Sequence, residues 1–121
     1  MNRSVAFPST RWLRAGGAVL AGLGVALAAY ASHGASEGAR VNLQTAALFA
    51  FGHGIALAAL ARGVASRLSL AALAMLLVGT LVFAGALVAR SLWGVSSAPA
   101  PFGGMVLIVG WLLYAASALR D

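Results

Sequence analysis

Four stretches of this chain carry no charged side chain: Ala15 to Ser36, Val41 to Ala61, Leu68 to Ala89, and Ser91 to Leu119. Each is long enough to cross a hydrocarbon layer about 30 Å thick at roughly 1.5 Å of helix rise per residue. Of the 121 residues, 62% are hydrophobic and 8% charged, with a mean hydropathy of +0.97; a soluble domain is roughly one quarter charged. Ten charged side chains do not cover the roughly 6,000 Å² of surface that a soluble monomer of this mass presents. These grounds argue against a soluble globular enzyme. The length admits about four spans, with no soluble domain left over.

The apolar runs predict an all-α integral membrane protein with spans at about 12–32, 43–61, 68–89 and 102–119, after an N-terminal segment 1–11. Ser32, His33, Gly34 and Ser36 interrupt the first run, and Asn42 can cap the second. Pro99 and Pro101, in a Ser-Ser-Ala-Pro-Ala-Pro segment, read as a loop that delays the fourth helix to Phe102. Short connections make consecutive spans antiparallel neighbours in a four-transmembrane-helix bundle. Both ends then share one side with the second connection. That side carries Arg3, Arg11, Arg14, Arg62, Arg67 and Arg120, and the other only Arg40 and Arg90. Arginine accumulates on the cytoplasmic side of short loops, so both termini are expected in the cytoplasm. The first run, closing on Ala29-Tyr30-Ala31, also has the small-x-small end of a signal peptide. It exceeds the usual roughly 7–15 apolar residues of such a segment, so a retained span is expected.

Lipid removes the hydrophobic drive between helices, leaving close backbone approach and a few hydrogen bonds to hold them together. Fifteen glycines supply the first. Ala18, Gly22 and Ala26 on span one, and Ala46, Ala50, Gly54 and Ala58 on span two, recur at four-residue spacing and are the expected contact faces. Gly79 and Gly85 on span three, and Gly103, Gly104 and Gly110 on span four, extend the set. Trp12, Trp93, Tyr30 and Tyr114 fall near span ends, as interfacial anchors do, whereas Trp111 sits well inside span four.

Chemistry-bearing residues are few. The eight arginines are scattered between apolar runs rather than clustered with aromatics, which argues against nucleic-acid binding. The absence of cysteine excludes disulfides, thiolate metal sites and thiol nucleophiles. The only acids are Glu37, in the first connection, and Asp121, so a Ser-His-acid triad, a carboxylate pair and an intramembrane carboxylate for proton coupling all lack their residues. No enzymatic activity and no cofactor are expected. His53 lies near mid-membrane with Phe49 and Thr45 on its face and Gln44 at the helix entrance. Its imidazole needs a partner, because an unpaired buried polar group costs about 1–3 kcal/mol. Thr80, Ser117, a carbonyl freed near a glycine, and His33 are the candidates. His33 closes span one, with Glu37 one turn on if the helix continues past Gly34; these residues would hold a metal only if the loop folded back, so none is expected. The tentative polar or ligand-binding set is His33, His53, Thr45 and Gln44.

At these residues the chain resembles the domain-of-unknown-function 423 family of small membrane proteins. Three blocks between about Arg14 and Leu119 carry the likeness. The first is Gly24-Val25-Ala26-Leu27-Ala28-Ala29-Tyr30-Ala31-Ser32-His33-Gly34, and the second Phe49-Ala50-Phe51-Gly52-His53 leading into Ala56-Leu57-Ala58. The third is Phe83-Ala84-Gly85-Ala86-Leu87 followed by Pro101-Phe102-Gly103-Gly104 and Gly110-Trp111. The resemblance implies a four-span bacterial inner-membrane protein and marks His33, His53, Pro101, Gly103, Gly104 and Trp111 as characteristic positions. It implies no activity. Phe49 and Ala50 stand where the family usually has Tyr-Gln, which removes two polar neighbours of His53.

Two kinds of role remain open. One is a structural or interaction protein, surrounded by membrane lipid, that self-associates as a homo-oligomer or docks to a membrane-protein partner. The other is a small carrier, channel or lipid- or small-molecule-binding module that uses His53 and His33.

Overall fold

The computed structural model describes residues 10–121. Arg3 and most of the expected segment 1–11 lie outside the described residues, and Thr10 and Arg11 already belong to the first helix. Four helices follow one another: α1 (Thr10–His33), α2 (Glu37–Leu60), α3 (Arg67–Trp93) and α4 (Ala100–Arg120), with a 3-10 turn at Ala61–Gly63 after α2. All four are long and apolar enough to cross a membrane, and no strand occurs among the described residues. In hydrocarbon a helix suits such a chain, because it satisfies its backbone polar groups within the segment.

Each helix outruns its expected span at one or both ends, for local reasons. Glu37 opens α2 five residues before the expected cap at Asn42, following Ser36 in an extended conformation, and its carboxylate favours the positive end of the helix dipole. Arg40, one turn in, donates from Nε to the Ala31 carbonyl at 3.2 Å and so closes the C-terminal turn of α1. Ser66 and Ser69 form a reciprocal capping box at the start of α3. Gly94 ends α3 at φ +69°, a left-handed conformation that glycine adopts without strain. The Pro-containing segment is not all loop. Pro101 lies in the first turn of α4, where the missing N–H has no helical acceptor to lose.

The helices meet along seams of alternating three- and four-residue steps. Leu13, Gly17, Leu20, Gly24 and Ala31 are the buried positions of α1, and Ala100, Gly103, Leu107, Gly110 and Ser117 those of α4. Such spacing keeps one face toward a neighbour over many turns, as in coiled coils. Four-residue spacing alone does not fix which face a row presents: Ala46, Ala50 and Gly54 of α2 are buried at that spacing. The α1 face expected from Ala18, Gly22 and Ala26 is therefore a correction: all three are exposed, and a Cβ on Gly22 would meet nothing within 4 Å. Gly17 and Gly24 take that place. A Cβ on Gly17 would stand 2.6 Å from the Gly54 carbonyl oxygen, and one on Gly24 2.8 Å from the Phe51 nitrogen. Gly79, Gly103 and Gly110 occupy the α3–α4 contact, where a Cβ on Gly103 would lie 2.5 Å from the Phe83 nitrogen. Gly85 is open, and a Cβ on Gly104 would reach only Phe83 at 3.9 Å, so neither sets the approach of these helices.

Packing runs mainly α1 to α2, α2 to α3, and α3 to α4; α1 and α4 make no comparable contact among the described residues. The bundle is thus open on that side. Leu13, Leu20, Leu57, Ala61, Leu73, Leu76 and Leu107 form the core, while large apolar side chains such as Leu23, Phe102, Ile108 and Leu112 point outward. Those outward chains need lipid as their solvent. The N-terminal turn of α1 shares a recess with Arg62, and the Asp121 carboxylate accepts a hydrogen bond from the Ser66 hydroxyl at 2.8 Å. Both described ends therefore lie beside the α2–α3 connection, with Arg11, Arg14, Arg62, Arg67 and Arg120. Arg40 and Arg90 lie at the opposite end, around Ser36, Asn42 and Ser91.

Candidate functional site

His53 is the centre of a polar and aromatic arrangement that joins three helices. It projects from α2 toward α4, half-buried. Trp111 Nε1 donates to His53 Nε2 at 3.1 Å. An indole N–H can only donate, so Nε2 must be the acceptor and the ring proton sits on Nδ1. That nitrogen donates to the Phe49 carbonyl, 2.9 Å away and one turn back on α2. The imidazole is thus held as one neutral tautomer with both nitrogens engaged.

Aromatic rings extend the tie across three helices. Phe49 stacks on His53 with centroids 5.6 Å apart and packs on Phe83 of α3 at 4.4 Å. Trp111 meets His53 at 5.8 Å and Tyr114 edge-on at 6.2 Å. Phe83, Phe49, His53, Trp111 and Tyr114 therefore form a continuous ring ladder from α3 through α2 to α4. Aromatic contacts of this kind add roughly 0.5–1.5 kcal/mol each beyond area burial. The hydrogen bond between spans adds about 0.6 kcal/mol on average, so ring packing carries more of the tie than the bond does, and the bond fixes its register.

The other proposed partners of His53 are engaged elsewhere. Thr80 donates to the Leu76 carbonyl and Ser117 to the Tyr114 carbonyl, each at 2.7 Å. Thr45 donates to the Val41 carbonyl at 3.0 Å. Gln44 is exposed and lines a separate recess with Gly24, Val25, Ala28, Ala47, Leu48 and Phe51. His33 ends α1 and is exposed. Gly34 and Ala35 both donate to the Tyr30 carbonyl, at 2.8 and 2.9 Å, which stops the helix before Glu37 could join His33 on one face. The four residues His33, His53, Thr45 and Gln44 are thus not brought together. Among the described residues no group of three or more His, Asp or Glu side chains could hold a metal.

Beside the tie lies a shallow recess of about 320 Å³ lined by Leu48, Phe49, Gly52, His53 and Trp111. Its walls are apolar apart from the imidazole and indole, whose polar atoms bond one another. Proton transfer or ligation by His53 would first require Trp111 to let go. Trp111 is the partner that sequence reasoning missed, although its position carried the signal: an indole N–H deep in an apolar span needs an acceptor.

A model of the family described as "Protein of unknown function (DUF423)" matches residues 27–104. The match includes His33, His53, Gly103 and Gly104 and stops short of Gly110 and Trp111. Neither a curated protein nor a solved structure matches the chain.

Proposed function

Because this chain belongs to the DUF423 family, for which no function is known, its role rests on its own residues; we propose a non-enzymatic interaction protein of the bacterial inner membrane that docks α1 against a second copy of itself. Both termini face the cytoplasm in this proposal, with the arginine-rich end inward. One observation carries it. The Ala18, Gly22 and Ala26 row is exposed on α1, which packs extensively on α2 alone among the described helices. Small residues in that arrangement let a second helix approach closely, which is the main attraction available between helices in lipid. Engagement of both His53 nitrogens within the chain favours this role over a carrier built on His53 and His33.

The absence of native cysteine makes the test clean. Gly22→Cys and Ala26→Cys, in membranes under mild oxidation, should form disulfide-linked dimers, whereas Leu112→Cys on the outer face of α4 should not. Gly22 has room for the new side chain, so the variant should fold. Equal crosslinking at all three positions, or none at either α1 position, would rule the proposed face out.

A further inference from the structure

Arg11, Arg14 and Arg62 converge on one recess of about 450 Å³, whose remaining walls are Ala15, Ala18 and Ala58. Convergence of three cations is costly without a counter-ion, and the only acidic side chains in the sequence are Glu37 and Asp121. Glu37 is at the opposite end, and Asp121 holds Ser66. Arg11 and Arg14 also occupy the first turns of α1, where the helix dipole is positive and disfavours cations. The three alanines leave space between the guanidiniums instead of filling it. Trp12, 69% exposed with its ring 5.3 Å from the Arg11 guanidinium, sets the level at that of the headgroups.

A second, separate recess lies further along the same two helices. Ala18 of α1 is followed seven residues on by Val25, and Ala58 of α2 is preceded by seven by Phe51. Seven residues are two helical turns, so each pair shares a face. Val25 and Phe51 line the second recess between α1 and α2, about 360 Å³ in volume and almost wholly apolar. Three arginines at the headgroup level thus stand two helical turns from an apolar recess between the same two helices.

We propose that this recess binds the phosphate of an anionic lipid, with Arg11, Arg14 and Arg62 holding the headgroup and the apolar recess at Val25 and Phe51 receiving an acyl chain. The chemistry recognised is a phosphate oxyanion, to which guanidinium offers paired donors. The recess shares Ala18 with the proposed α1 docking face, so a bound lipid and a second copy compete there.

The test is native mass spectrometry of the full chain released from nanodiscs of equimolar phosphatidylglycerol and phosphatidylcholine. The wild type should retain phosphatidylglycerol with a preference on the order of 100-fold, each of the three arginines contributing roughly five-fold. R11Q/R14Q/R62Q should lose the preference, and R40Q/R90Q, at the other end, should keep it. Millimolar inorganic phosphate should leave the retained lipid in place; displacement of the lipid by phosphate would assign the pocket to a soluble anion and overturn the lipid. No wild-type preference, or an equal loss in both variants, would also overturn the proposal. Should the triple variant fail to fold, R62Q alone decides, with about a five-fold loss expected and an unchanged preference contradicting the site.

Discussion

Gly17 and Gly22 stand five residues apart on one helix, yet they do opposite things. Gly17 presses on the α2 backbone so closely that a Cβ would come within 2.6 Å of the Gly54 oxygen, while Gly22 faces open space. Composition does not separate them; phase does. Gly17 lies on the alternating three- and four-residue seam that keeps facing α2, and Gly22 lies on a row out of phase with it, exposed at Ala18, Gly22 and Ala26. A glycine in a span therefore marks either contact made within the chain or surface left for something else.

The largest effect should come from filling the seam. Gly54→Ala places a Cβ 2.5 Å from the Gly17 oxygen and 2.6 Å from the Ala21 nitrogen, both backbone atoms that move only if α1 and α2 separate. A loss of about 3 kcal/mol is expected, measured by SDS-driven unfolding in mixed micelles. A neutral result would show the seam to be misplaced and break the distinction at its root.

The two histidines repeat the contrast between inward and outward in polar form. Trp111→Phe keeps the ring and removes the N–H, leaving His53 Nε2 without its donor; the same unfolding measurement should show a loss of about 1 kcal/mol. His33→Ala should be neutral, since His33 is exposed. Equal losses for both would mean that the tie does not distinguish inside from outside.

Much of this was legible in the sequence, and the remainder failed for identifiable reasons. Four charge-free runs and the arginine asymmetry specify four helices with the described ends beside the α2–α3 connection, because length and charge act locally. Seam phase is a property of pairs of helices. Ala46, Ala50 and Gly54 are buried as expected on α2, yet the matching α1 row is not. His53 was recognisable as a residue needing a partner, but Thr80 and Ser117 looked equally suitable until their own helix carbonyls were seen to take their hydroxyls. Pro101 read as a loop because proline breaks helices, although a first turn accommodates it.

Smaller effects sharpen the contrast among glycines further. Gly94 is kept for its backbone rather than for contact: φ is +69° and nothing lies within 4 Å of a Cβ there. Gly94→Ala should cost about 1 kcal/mol through strain alone. Gly22→Ala, in open space with ordinary helical geometry, should gain about 0.5 kcal/mol from reduced backbone freedom. The two substitutions are chemically identical, so opposite signs in parallel unfolding titrations would separate backbone demand from surface availability.

The α1 face is tested most directly by energy transfer between differently labelled copies in the same liposomes, with Gly22→Leu compared against wild type. A bulky side chain at Gly22 should abolish most of the transfer, because close approach of two α1 helices needs the small surface. Transfer equal to that of wild type would contradict a docking role for this face.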